Sequence, residues 1–263
     1  MTPRTTASCL PNASASENAR DFTVAAFNAH WGIARFGRFE GVRFDVARVV
    51  RSFDADLIVV PEAWRDASDV GALDALRDDG YHVETMELMR LELRARKRNT
   101  DRHGVPRKGA WELAIASRFP VLDRRLIPMG VVANDPAGAR NALALRVAID
   151  GTPVEMVGLH TSSKFWRLAP LKHLATLRRG LPAGGPQILA GDFNFWGPPV
   201  GMMMHGWKRP VRGRTWPAWR PHSQIDHVLV RGGIEVLGGE VLAETPSDHR
   251  PIRTRLRLPD GLT

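Results

Sequence analysis

Short hydrophobic runs in this chain stop again and again at a side chain bearing oxygen or nitrogen, and this constrains the fold more than any other feature. Phe22 to Phe27 ends at Asn28, Leu57-Ile58-Val59-Val60 leads into Pro61-Glu62, and Val154 to Leu159 delivers His160. Gln187 to Ala190 runs into Gly191-Asp192-Phe193-Asn194. Ile225-Asp226-His227 opens a further run, and Ser247-Asp248-His249-Arg250-Pro251 precedes the last. Runs this short read as strands, and a continuous one such as 57–60 suits a strand buried on both faces. Six polar positions at strand edges predict one assembled site.

Helices are fewer. Val42, Val46, Val49, Val50 and Phe53 share one helical face, predicting a helix from Val42 to Phe53. Val70, Leu73 and Leu76 predict a second, closed by Gly80. Leu171, Leu174, Leu177 and Leu181 predict a third from Pro170 to Leu181, with proline in its first turn. The stretch from Met86 to Leu93 fits helix and strand equally. Strands are expected over Glu112–Ala116, Val121–Ile127, Asn141–Ile149 and Ile252–Leu258. Ile225–Val230 and Ile234–Leu242 are expected to form a hairpin through Gly232-Gly233, after a Trp- and Pro-rich loop from Phe195 to Ser223. With no repeat and no linker, residues 21–259 read as one domain, an α/β sandwich of packed sheets with helices outside. The Ser/Thr/Ala/Asn-rich residues 1–20 read as a disordered tail.

At 263 residues the chain can bury a substantial core. No apolar run is long enough to span a bilayer, and the N-terminus lacks a secretory pattern. The single cysteine, Cys9, forms no internal disulfide, which fits a reducing cytoplasm. The net charge of +9 favours polyanionic partners. Eight bases stand against two acids between Arg90 and Lys108, and five bases, three tryptophans and no acid lie between Trp207 and Arg220. Each stretch reads equally as a solvated loop or as a binding surface.

The sequence has no P-loop, no His-Glu-x-x-His, no Cys-x-x-Cys and no Gly-x-Ser-x-Gly. The candidate ligands Asn28, Glu62, Asp192, Asn194, Asp226 and Asp248 are all oxygen donors, which suits a hard cation such as Mg²⁺ or Mn²⁺ held against a phosphate. His160 and His249 add groups able to bind phosphate and move protons. Singly, each of these residues is also an ordinary turn former, cap or surface histidine.

In order and context, Gly191-Asp192-Phe193-Asn194 and Ser247-Asp248-His249-Arg250-Pro251, with Ser117-Arg118-Phe119-Pro120 after a strand, resemble the endonuclease/exonuclease/phosphatase superfamily. The resemblance runs from about Phe22 to Leu258. It implies the deoxyribonuclease-I-like fold, a four-layer sandwich of two packed mixed β-sheets flanked by helices. It also implies metal binding at Asn28, Glu62 and Asp248. His160 would contact phosphate, Asp192 and Asn194 would orient water and phosphate, and Asp226 would pair with His249. Departures are visible: Asn28 is followed by Ala29-His30 without a second asparagine, and Pro61 precedes Glu62 where glutamine is usual. The sole tyrosine, Tyr81, leaves no candidate for a catalytic tyrosine. Glu112 could orient His160, or could simply face solvent.

The expected activity is divalent-metal-dependent hydrolysis of a phosphodiester, with nucleic acid as the substrate. Trp207, Trp216 and Trp219 would then either stack on bases or pack a loop beneath the site. The alternatives are the same chemistry on a phospholipid headgroup, inositol phosphate or small phosphodiester, and a non-catalytic binding module. A cytoplasmic monomer without stable membrane insertion completes the expectation.

Overall fold

Two sheets packed face to face carry eleven strands in this computed structural model, which describes residues 20–35, 40–92, 108–164 and 168–258. The six-stranded sheet has the order β10-β11-β1-β2-β4-β3 and the five-stranded sheet β5-β6-β7-β8-β9. In sequence the strands are β1 (Asp21–Ala26), β2 (Leu57–Asp66), β3 (His82–Glu92), β4 (Lys108–Ser117), β5 (Val121–Val131), β6 (Ala139–Ile149), β7 (Thr152–His160), β8 (Gln187–Asp192), β9 (Asp226–Arg231), β10 (Glu235–Val241) and β11 (Ile252–Arg257). Each sheet has one parallel pair, β1 with β2 and β7 with β8, among antiparallel neighbours.

The inward faces meet in one core, where Val24, Leu57, Val59, Leu113 and Ile115 of the first sheet pack on Leu143, Leu145, Ile188, Val228 and Val230 of the second. The outer face of the six-stranded sheet is covered by α1 (Val46–Arg51) and a 3-10 helix at Asp74–Asp79, through Val46, Val50, Phe53 and Leu76. The outer face of the other sheet is covered by α2 (Ala169–Gly180) and α3 (Gly197–Met203), through Leu174, Leu177 and Val200. These are the four layers expected. Among the described residues no helix is long and apolar enough to cross a membrane.

Local differences have physical causes. Asp45 accepts the Arg48 N–H at 2.9 Å and caps α1, so this helix starts four residues after Val42. The second expected helix is only the 3-10 turn, ended by Gly80 at φ 82°. The ambiguous 86–93 stretch resolves through residue 92 as strand, paired to β4. The expected hairpin is not formed. β9 pairs with β8 and β10 with β11, so the two runs belong to different sheets. Gly232 and Gly233, at φ 75° and 85°, instead carry the chain from one sheet to the other, and a Cβ on Gly232 would lie 1.9 Å from the Gly185 carbonyl. The loop expected over 195–223 contains α3. Within the tail expected over 1–20, only Arg20 is described, and it pairs with Asp150 at 2.9 Å. Of the basic stretch 90–108, residues 93–107 lie outside the described residues.

Candidate active site

All six polar strand ends converge on one edge of the sandwich. The parallel register sets His160 beside Asp192, and the antiparallel register sets Asp192 beside Asp226. In the other sheet, Asn28 follows β1, and the segment carrying Asp248 and His249 leads into β11, which pairs with β1. Side chains beyond the carboxyl ends of neighbouring parallel strands face a common crevice, as in other α/β sheets.

Each motif has a local reason. Gly191, at φ 137°, brings β8 so close to β7 that a Cβ would sit 2.1 Å from the Leu159 carbonyl, so only glycine can precede Asp192. Asn194 adopts the left-handed region at φ 47°, which asparagine tolerates, and its N–H donates to Asp192 Oδ1 at 2.7 Å. Its side-chain amide donates to the Thr161 carbonyl at 3.1 Å, tying β8 to the end of β7. Pro61 and Glu62 occupy a bulge where the β2–β4 register shifts between Val60 and Ala63. Proline lacks a ladder N–H and therefore fits there, and its carbonyl accepts the Ala29 N–H at 2.9 Å. Glu62 itself is left-handed at φ 56°, a strained conformation of the kind that accumulates at functional sites. Ser247 donates to the Asn28 carbonyl at 2.7 Å and accepts the His249 N–H at 3.2 Å, locking the last motif to the first.

Asp192 is the hub. Asn28 Nδ2 donates to its Oδ2 at 3.0 Å, His160 Nε2 lies 3.5 Å and His249 Nε2 3.9 Å from that oxygen. Burial, reinforced by the Asp226 charge and opposed by His249, pushes its carboxyl up to about 7. His249 Nδ1 bonds both Asp226 oxygens, at 2.9 and 3.1 Å. Burial alone would depress His249, but the charge and hydrogen bond of Asp226, with Asp192 and Asp248, hold its pKa well above the ordinary value. His160 is the opposite case. Burial first, then the Arg140 and His249 charges, hold it well below, so it is a neutral imidazole. Burial also raises the Glu62 carboxyl, opposed by His30 and increased by Asp248.

Glu62 and Asp248 both line the cavity, and Asp248 Oδ1 is buried without a hydrogen-bond partner among the described residues. Glu62 has His160 Nε2 at 3.8 Å and the Asn28 side chain beside it. Two carboxylates at one wall, one of them with a buried unpartnered oxygen, fit a divalent cation. Asn28 sits beside them, its Oδ1 already accepting the His30 N–H at 3.0 Å. Asp192, Asp226 and His249 also bring one potential ligand atom each within 4.8 Å of one another. In that group, however, the Asp226 carboxylate is already occupied by His249.

The expected partnership of Glu112 with His160 is not found. Glu112 is buried, and Arg65 Nε donates to it at 2.8 Å and Thr85 at 3.3 Å. Among the described residues His160 Nδ1 has no hydrogen-bond partner. Instead the Trp111 ring stands edge-on to its imidazole at 5.4 Å, and Arg140, paired with Asp135 at 2.9 Å, donates to the His160 carbonyl at 3.3 Å. Trp31, Trp111, Arg140, Trp196 and His222 join the predicted residues around a cavity of about 560 Å³. Trp31 directly follows Asn28-Ala29-His30 and Trp196 stands two residues beyond Asn194, whereas Trp111, Arg140 and His222 adjoin none of the motifs. Of the three tryptophans singled out earlier, Trp216 lines the cavity, Trp219 is exposed, and Trp207 packs half-buried under the Arg231 guanidinium at 4.6 Å.

His227, next to Asp226, points away into the core, with Nε2 on the Phe195 carbonyl at 3.0 Å. Burial pushes its pKa down to about 4. The folded chain therefore keeps it neutral where the unfolded chain would protonate it, and stability falls as pH drops from about 6.5 toward 4. His227→Asn keeps a donor for the carbonyl and removes the proton. Between pH 7 and pH 5 the wild type is expected to lose about 2 kcal/mol more than this variant in denaturant unfolding. Equal losses would contradict the assignment.

Comparison with known proteins follows the same lines. A family model described as Endonuclease/Exonuclease/phosphatase family matches residues 25–249. YbhP of Escherichia coli K12, described as uncharacterized, is 26% identical over 264 positions, covering 90% of this chain and 96% of YbhP. An endonuclease/exonuclease/phosphatase structure from Beutenbergia cavernae superposes with a TM-score of 0.68 at 22% identity, covering 91% of this chain and 72% of that one. A mannosyl-6-phosphatase from Bacteroides thetaiotaomicron superposes with a TM-score of 0.63 at 18% identity, over 89% of this chain and 99% of its own.

Proposed function

The chain belongs to the endonuclease/exonuclease/phosphatase family and is a phosphoesterase, and from that premise we propose that it is a divalent-metal-dependent phosphodiesterase acting on nucleic acid. The observation that carries the mechanism is the convergence on Asp192 Oδ2 of Asn28 Nδ2 at 3.0 Å, His160 Nε2 at 3.5 Å and His249 Nε2 at 3.9 Å. There burial raises the carboxyl, Asp226 holds His249 high and burial holds His160 low. Titratable neighbours driven apart in this way mark acid–base assignments.

Glu62 and Asp248, with Asn28 at their side, would hold Mg²⁺ or Mn²⁺. When bound, the ion supplies Lewis-acid polarisation of a phosphate oxygen and neutralises charge on the leaving oxygen. Asp192 accepts the proton of the attacking water, its Oδ1 fixed by the Asn194 N–H. Asn194 Nδ2 keeps one hydrogen on the Thr161 carbonyl and offers the other to phosphate. His249, held cationic by Asp226, binds the developing negative charge. His160 remains a neutral donor, steadied by Trp111 and by the Arg140 bond to its carbonyl.

Nucleic acid is favoured by the net charge of +9 and by the tryptophans of the cavity wall. Purified protein incubated with Mg²⁺ or Mn²⁺ is expected to cleave single- or double-stranded DNA or RNA in preference to sphingomyelin or inositol phosphates. A preference for either lipid or inositol ester would replace the substrate and leave the chemistry in place. Glu62→Gln is expected to raise the Mg²⁺ concentration needed for half-maximal rate by about tenfold or more. An unchanged metal titration would remove Glu62 from the ion.

A further inference from the structure

A basic track leads away from the catalytic cavity across the segment after Asn194. Trp196, His222 and Ser223 line both that cavity and an adjoining depression of about 450 Å³, whose wall also includes Arg209. Arg209, with Gly197 and Pro198, then lines a third depression of about 630 Å³ that contains Lys208 and Arg212. Neither depression has an aspartate or glutamate in its wall.

Arg209 is the unusual member. It is half-buried, yet forms no ion pair with any described carboxylate. Burial first, and the neighbouring Arg212 second, push its pKa down. A guanidinium withdrawn from water without a counter-charge costs free energy, and an incoming anion recovers it. Its pose is also built into the fold: the guanidinium lies against the backbone of Gly197, where a Cβ would meet Nη1 at 1.5 Å. At the entrance stands Trp196, 47% exposed, its ring stacked on Phe195 at 4.5 Å and 10°. A rigid aromatic face beside spaced cations is the arrangement that follows a single nucleic-acid strand, bases stacking while phosphates meet arginine and lysine. A bilayer surface needs no link to the cavity, whereas Arg209 shares a wall with Trp196, His222 and Ser223, which line the cavity itself.

We propose that this track is a subsite for the flanking phosphates of a polynucleotide strand, with Arg209 the first contact beyond the scissile phosphate, Arg212 and Lys208 the next, and Trp196 the stacking surface between. The proposal rests on the phosphodiesterase reading above and extends it to strand direction.

The test compares wild type, Arg209→Ala, Arg212→Ala and Arg257→Ala. Arg257 lies on β11 and pairs with Asp21, away from the site. Each protein is assayed on bis(4-nitrophenyl) phosphate and on a labelled single-stranded oligonucleotide of about 12 nucleotides across a salt series, with circular dichroism confirming the fold. The ratio of kcat/KM for oligonucleotide over small diester is expected to fall about tenfold in Arg209→Ala, less in Arg212→Ala, and not at all in Arg257→Ala. The log–log salt slope of oligonucleotide binding should flatten by about 1 for each cation removed. If wild type cleaves the small diester but the Arg209 and Arg212 variants keep the wild-type ratio and slope, the track is overturned and the phosphodiesterase reading stands. If these variants instead lose binding to phosphatidylserine vesicles while their oligonucleotide behaviour is unchanged, the track is a membrane surface and the proposal also fails. If wild type cleaves neither substrate, the phosphodiesterase reading fails and takes the track with it.

Discussion

Asp192→Asn is expected to lower hydrolysis by about 10³-fold or more while making the protein more stable. The two effects share one cause. Asp192 is buried, receives Asn28 and Asn194, and has both histidines within 4 Å. Asparagine keeps the shape and an acceptor for the Asn194 N–H and cannot take a proton from water; its NH₂ replaces the acceptor of the Asn28 amide, which offsets part of the gain in stability. The folded carboxyl is raised to about 7 from 3.8, so the folded chain binds the proton more tightly than the unfolded one. From about pH 4 upward the unfolded carboxyl is ionised, so folding must take up a proton or, above about pH 7, bury the charge; this penalty grows until about pH 7. The amide removes it. Thermal unfolding at pH 8 should show a higher Tm for the variant, and single-turnover assays should show the lost chemistry. A variant that retains more than a tenth of the activity would contradict the role of Asp192 as base.

The second large effect concerns His249 and Asp226. His249→Gln is expected to lose about 10²–10⁴-fold, the range of a positioned acid–base group. Asp226→Asn keeps a hydrogen bond to Nδ1 and removes the charge, so the imidazole loses what holds its pKa high, and activity should decline at lower pH than in wild type. The double variant should be no worse than His249→Gln alone, because Asp226 acts through that ring and its loss counts only once. Additive losses would show that Asp226 contacts substrate or metal directly.

Much of this site was legible because its residues close hydrophobic runs. His160 and Asp192 end strands, Asp226 begins one and Asn28 follows one, whereas Glu62 sits within β2 at its bulge, because that strand continues to Asp66. The motifs also carry their own backbone logic: Gly191 is dictated by the Leu159 carbonyl, and Pro61, a departure from the family pattern, suits the bulge that presents Glu62. What sequence order did not reveal was which strands pair. The runs flanking Gly232-Gly233 have hairpin spacing, yet positive φ serves a sheet-to-sheet crossing as well as a turn. Glu112 could be placed on a strand near His160, but not matched to Arg65, 47 residues away in sequence. Trp31, Trp111 and Arg140 belong to no motif, and only the fold brings them to the cavity. The site residues are thus set by local pattern, while the walls around them are set by tertiary packing.

The most direct test is the rate of hydrolysis of bis(4-nitrophenyl) phosphate by the purified chain in chelator and after adding Mg²⁺ or Mn²⁺ in excess. The account predicts no turnover above background in chelator, recovery with either ion, and no recovery in Asp192→Asn. Turnover that persists in chelator, or that survives in Asp192→Asn, would contradict a metal-dependent phosphodiesterase centred on Asp192.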